Sequence, residues 1–127
     1  MNITTHAVVV RPMYDHKDRK YIDVALSDSV VHCITQEHYK DVSKRTPLYS
    51  SPLKNDNVLT VKVPFRYRRP MCLCNTESIY SYKEGDPVEV TIKHTGLWVL
   101  GDYSSNTWVL KEISPGIRST MEGLRSG

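Results

Sequence analysis

Residues 88–113 read VEVTIKHTGLWVLGDYSSNTWVLKEI, and this stretch decides the fold class. Val88, Val90 and Ile92 alternate with Glu89, Thr91 and Lys93, the two-residue period of a half-buried strand. His94-Thr95-Gly96 reads as a turn into a second strand at 97–103, and Ser104-Ser105-Asn106 as a turn into a third at 107–113. Three short strands parted by turn residues predict an antiparallel meander. Trp98 and Trp108 lie in its last hairpin and read as core. Both faces of Leu97-Trp98-Val99-Leu100 are apolar, so this strand is expected to be buried on both sides.

Upstream, Glu84-Gly85-Asp86-Pro87 makes a turn, and residues 58–67 (VLTVKVPFRY) form another alternating strand. Leu59, Val61, Val63, Phe65 and Tyr67 share one face, and Thr60, Lys62, Pro64, Arg66 and Arg68 share the other. Pro64 has no N–H to donate, which marks an edge, a strand end or a bulge. Between the two regions, 68–83 is a long connection with a short extended piece near 78–82 that places Tyr80 and Tyr82 on one face. Residues 46–57 (TPLYSSPLKNDN) read as loop. At the N-terminal side, 6–14, 20–26 and 30–35 predict a first meander, with Ile22, Val24 and Leu26 facing one way. A short helix is expected at 36–44, capped by Thr35, with Ile34, His38 and Val42 on one face. After Ile113 the period is lost, so 1–113 reads as one domain and 114–127 as a flexible C-terminal tail.

Strands, a helix, then further strands is the element order of the OB-fold, a small Greek-key barrel. The stretch from Tyr21 to Asp28 followed by Val30-Val31-His32-Cys33-Ile34 resembles the second-to-third strand hairpin of replication-protein-A-like OB domains, single-stranded nucleic-acid-binding proteins. Gly85-Asp86-Pro87-Val88 through Trp98 and Trp108 is similar instead to small SH3-like barrels. The expected fold is therefore all-β: a small antiparallel Greek-key barrel, OB-like with one short helix, and an SH3-like barrel as the alternative.

The chain has 127 residues, enough for one compact core and too few for a second domain to carry chemistry. No apolar run approaches a membrane helix. The odd count of three cysteines argues against a disulfide framework, and Ala7–Val10 is too short for a signal-peptide core. These features predict an intracellular protein, cytoplasmic or nuclear. Cys72-x-Cys74 is closer-spaced than a zinc knuckle, and the five histidines pair with no nucleophile motif. No metal, cofactor or catalytic site is expected.

The net charge of +3, from 17 Lys+Arg against 14 Asp+Glu, is small but uneven. No acidic residue lies between Asp56 and Glu77, while Lys62, Arg66, Arg68 and Arg69 do. A basic strand near open aromatic rings is a common way to hold single-stranded nucleic acid, cations on phosphates and rings on bases. The candidate nucleic-acid-binding residues are Lys62, Arg66, Tyr67, Arg68, Arg69, Tyr80 and Tyr82. Tyr14, Tyr21 and Tyr103 border the turns that frame an OB groove. The expected partner is single-stranded DNA or RNA. A solubilising edge is the plain reading of the same cations. A homo-oligomer or a protein partner docked on a strand edge, without nucleic acid, is the alternative function.

Overall fold

The computed structural model describes residues 1–75 and 78–116. In chain order the elements are β1 (Asn2–His16), β2 (Arg19–Ala25), α1 (Asp28–Tyr39), β3 (Leu48–Ser50), β4 (Leu53–Lys54) and β5 (Val58–Val63). Then follow β6 (Phe65–Arg66), β7 (Arg69–Pro70), β8 (Leu73–Cys74), β9 (Pro87–Leu100) and β10 (Tyr103–Pro115). The protein is all-β with one short helix. Its main sheet runs β3-β10-β9-β1-β2-β5-β4 and curls strongly. The two sides meet where Val109 of β10 pairs in parallel with Lys62 of β5. The five longest strands thus succeed one another as β1-β2-β5-β10-β9 and back to β1. β6 and β7 form a separate small hairpin.

The alternating positions fill the interior. Ile22, Val24, Leu59, Val61, Val63, Val88, Val90 and Ile92 are all buried, as their period predicts. Trp108, Leu110 and Ile113 complete the core from β10.

Three expectations about the elements are corrected. Residues 30–35 are helix, and α1 begins eight residues before the expected 36–44. Ser27, read as a turn, is its N-cap: its side chain accepts from the Val30 N–H, and Asp28 sits favourably in the first turn. Val30, Ile34 and His38 recur every fourth residue, so packing of that face overrides the strand preference of the β-branched residues. Ile34 and His38 are buried as expected, but Val42 lies beyond α1 and is exposed. The helix accordingly precedes the third long strand rather than following it.

The second correction is that 88–113 forms two long strands, not three short ones. His94-Thr95-Gly96 is a bulge inside β9, where the register with β10 slips between Thr107 and Trp108. Gly96 takes φ +110, a conformation that favours glycine. Ser104 and Asn106 are paired strand residues, and the true turn is at Gly101-Asp102. The third is the piece near 78–82, which is a 3₁₀ turn at Ile79–Ser81 capped by Ser78. Part of the expected 46–57 loop also pairs into the sheet, as β3 and β4.

The first residues of the expected tail are joined to the sheet. Ser114 and Pro115 close β10, and Gly116 donates its N–H to the Pro87 carbonyl. A Cβ on Gly116 would lie 2.6 Å from the Pro87 carbonyl carbon, so only glycine fits there. The remainder of the tail, 117–127, lies outside the described residues.

Candidate functional site

A groove of about 1190 Å³ opens on the outer face of the curled sheet. β1 and β2 contribute Arg11, Tyr14, Arg19 and Tyr21, β5 contributes Thr60 and Lys62, and Lys17 comes from the β1–β2 turn. The far wall is the distal half of the β9–β10 hairpin, with Trp98, Leu100 and Tyr103, joined by Leu48 of β3. Five cations, Arg11, Lys17, Arg19, Lys54 and Lys62, line the groove, and among the described residues no Asp or Glu does.

Register explains this convergence. Tyr14 pairs with Tyr21, and Tyr21 pairs with Lys62, so one row crosses three strands. On the other wall, Trp98 is opposite Ser105, Leu100 is opposite Tyr103, and Tyr103 is opposite Leu48. Strand alternation aims this second set outward together. Burial, and then the nearby Arg19 charge, lowers the Lys62 ammonium below its usual range.

The two aromatic groups differ in availability. The Arg11 guanidinium covers the Tyr14 ring at 3.6 Å, and the Tyr14 hydroxyl donates to Asp23 Oδ1 at 2.8 Å. Burial and that hydrogen bond push the Tyr14 phenol up to about 12. Tyr21 sits 6.0 Å from Tyr14. By contrast, Trp98, Leu100 and Tyr103 are 45%, 73% and 60% exposed. Trp98 and Tyr103 are thus the groove's open aromatic rings.

The inner face of the same hairpin carries a polar network against α1. The Tyr49 hydroxyl donates to Asn106 Oδ1 at 2.6 Å, and Asn106 Nδ2 donates to His94 Nε2 at 3.1 Å. His94 Nδ1, left with the proton, faces Glu37 Oε2 at 3.7 Å. Lys40 pairs with the other Glu37 oxygen, and this bond holds the carboxyl below its usual range. Beside it, the Trp108 indole N–H donates to His38 Nε2 at 2.8 Å, and the His94 ring stacks on Trp108 at 5.0 Å. Burial lowers both imidazoles, His38 to about 4. Both rings are therefore neutral at physiological pH.

Of the seven candidate nucleic-acid-binding residues, only Lys62 lines this groove, whereas Tyr14, Tyr21 and Tyr103, expected to border it, all do. Arg66, Tyr67, Arg68 and Arg69 lie together on the β6–β7 hairpin. Tyr67 does not continue the buried face of β5. Pro64 ends that strand, and Tyr67 is 85% exposed in a turn. Tyr80 is exposed on the 3₁₀ turn, whereas Tyr82 is 6% exposed and belongs to the core, because the 3₁₀ turn puts the two rings on different sides. Tyr82 therefore presents no open face for stacking. Trp108 is core as expected. Trp98 is not, and its strand is not buried on both sides, because no described residue packs over the outer face of the hairpin's distal half. Sequence reasoning missed Arg11, Lys17, Arg19, Lys54 and Trp98. The outward alternation of β1 and β2 carried a signal for Arg11 and Arg19, but their meeting with Trp98 depends on sheet curvature.

Cys72 and Cys74 are free thiols with sulfurs 3.6 Å apart, and burial followed by the Cys74 hydrogen bond pushes Cys72 up to about 12. Cys33 and His32 lie on α1. Among the described residues no group of three or more metal-ligating side chains converges, and no helix is long and apolar enough to cross a membrane. Comparison of the chain with protein-family models, curated proteins and solved structures finds no match. The functional reading therefore stands on geometry.

Proposed function

We propose that this protein binds single-stranded nucleic acid along the groove. The observation that carries the reading is a concave wall with five cations, open aromatic faces and, among the described residues, no carboxylate. Arg11, Lys17, Arg19, Lys54 and Lys62 are placed to neutralise phosphates. Trp98 and Tyr103 offer the faces on which unpaired bases stack. A single strand fits better than a duplex, because stacking needs bases whose faces are free.

The test is fluorescence polarisation with a labelled oligonucleotide over a range of salt. If all five cations engage phosphates, log affinity falls against log salt with a slope of about −3 to −4. Arg11→Glu with Lys62→Glu is expected to abolish binding. No binding at low salt, or binding indifferent to the charge reversal, overturns the reading.

One observation favours a second reading. Leu48 and Leu100 flank Tyr103 on neighbouring strands and are at least half exposed near the hairpin turn, apolar surface of the kind that docks a protein partner or a second copy. Self-association that survives high salt and disappears with Leu100→Ser supports that alternative.

A further inference from the structure

The groove leaves one basic element unused. The β6–β7 hairpin departs from the sheet where β5 ends, at Val63 paired with Lys20. This is the β1–β2 end of the groove, where Lys17 and Arg19 sit. Lys20 Nζ lies 5.4 Å from the Phe65 ring centroid, so the hairpin's root is anchored against β2. Phe65 and Pro70 pair at the root, and Phe65 packs on the core. Arg66 and Arg69 pair on the opposite face and are exposed. Arg66 alternates with core-packed Phe65 within β6 and so faces away from the core. No ion pair joins Arg66, Arg68 or Arg69 to a described carboxylate.

The tip is unusual. Tyr67 and Arg68 take φ +51 and +65, which a two-residue hairpin turn ordinarily assigns to Asn-Gly. Two bulky residues are held in a costly backbone conformation, with one ring almost fully in solvent. Strain of this kind gathers where placement of a side chain matters more than stability.

We infer that the β6–β7 hairpin is a second phosphate-contacting station, onto which a single strand passes after leaving the groove. The inference rests on the groove reading and adds length to it: short oligonucleotides occupy the groove alone, and longer ones also reach the arginines. Contact at the hairpin is with the backbone, so it is independent of base sequence.

The experiment measures affinity and salt slope for an oligothymidylate series of about 4 to about 16 nucleotides, the site sizes such grooves span. It compares the wild-type chain with the Arg66→Ala, Arg68→Ala, Arg69→Ala triple variant. The variant should match wild type on the shortest ligands that bind, and lose at least tenfold on the longest. There its salt slope should be shallower by about 2, the value for three single-strand phosphates. The triple Arg→Lys variant should retain the wild-type slope, since point charges suffice, and it separates charge loss from damage to the hairpin. Variant and wild type equal at every length overturns the second station and leaves the groove standing. So does an equal loss at every length, which makes the arginines part of one site. Failure of wild type to bind any member overturns the groove reading and the station with it.

Discussion

The distal half of the β9–β10 hairpin has two faces with opposite character. On the inner face His94 and Asn106 meet α1 and β3 through a chain of donors and acceptors in which each group has its partner. On the outer face Trp98, Leu100 and Tyr103 have no layer of described residues above them. The tryptophans show the same split: Trp108 is fully buried and hydrogen-bonded to His38, while Trp98 is 45% exposed. The inner face spends its residues on holding the strands in place. The outer face carries its large side chains in the open.

The comparison breaks most visibly at Trp108. Trp108→Ala is expected to cost about 3–5 kcal/mol in urea unfolding, because it opens a cavity and orphans His38. A cost below about 1 kcal/mol would mean that the inner face is not the structural one.

The next largest effect is in pH. The unfolded chain protonates His38 near pH 6.5, and the folded chain holds it neutral to about pH 4. Between those values the unfolded state binds more protons, so stability is complete above pH 6.5 and falls as pH drops toward 4, by at most about 3 kcal/mol. His94 adds in the same direction. Urea midpoints at both ends of that window measure the loss, and His38→Gln, which keeps an acceptor for the indole, should flatten the profile.

Trp98→Ala sharpens the comparison from the other side. It should weaken oligonucleotide binding by about 2 kcal/mol, roughly 30-fold in Kd, and shift unfolding by less than about 1 kcal/mol. Smallest is the paired change Tyr67→Asn with Arg68→Gly. It relieves two left-handed residues and should stabilise the fold by about 1 kcal/mol, read as a raised Tm.

Much of the interior was legible because strand period and burial are local properties. Ile22, Val24, Leu59, Val61, Val63, Val88, Val90 and Ile92 all face inward as their alternation requires. Two elements were misread because one local signal had two meanings. Ser27-Asp28 marks a turn and a helix start equally well, and Gly96 marks a turn and a bulge. The groove was harder to see. Lys62 was found because it sits in an acid-free run, but Arg11, Arg19 and Lys54 become its neighbours only through the β1–β2–β5 register and the β4–β5 pairing. Trp98 looked like core because an apolar strand carries no mark of whether a layer covers it.

β10 pairs with β9, β3, β5 and β8. Among the described strands β10 therefore has the most partners, and its pairing with β5 joins residue 109 to residue 62. Such distant pairings carry a large closure entropy and slow the search. On the ribosome β1, β2 and β5 can associate early, yet they keep bare edges until β10 has been made. Closure of this sheet thus waits for β10. A chain truncated before β10 would display unpaired strands to its neighbours, the condition under which β-proteins aggregate.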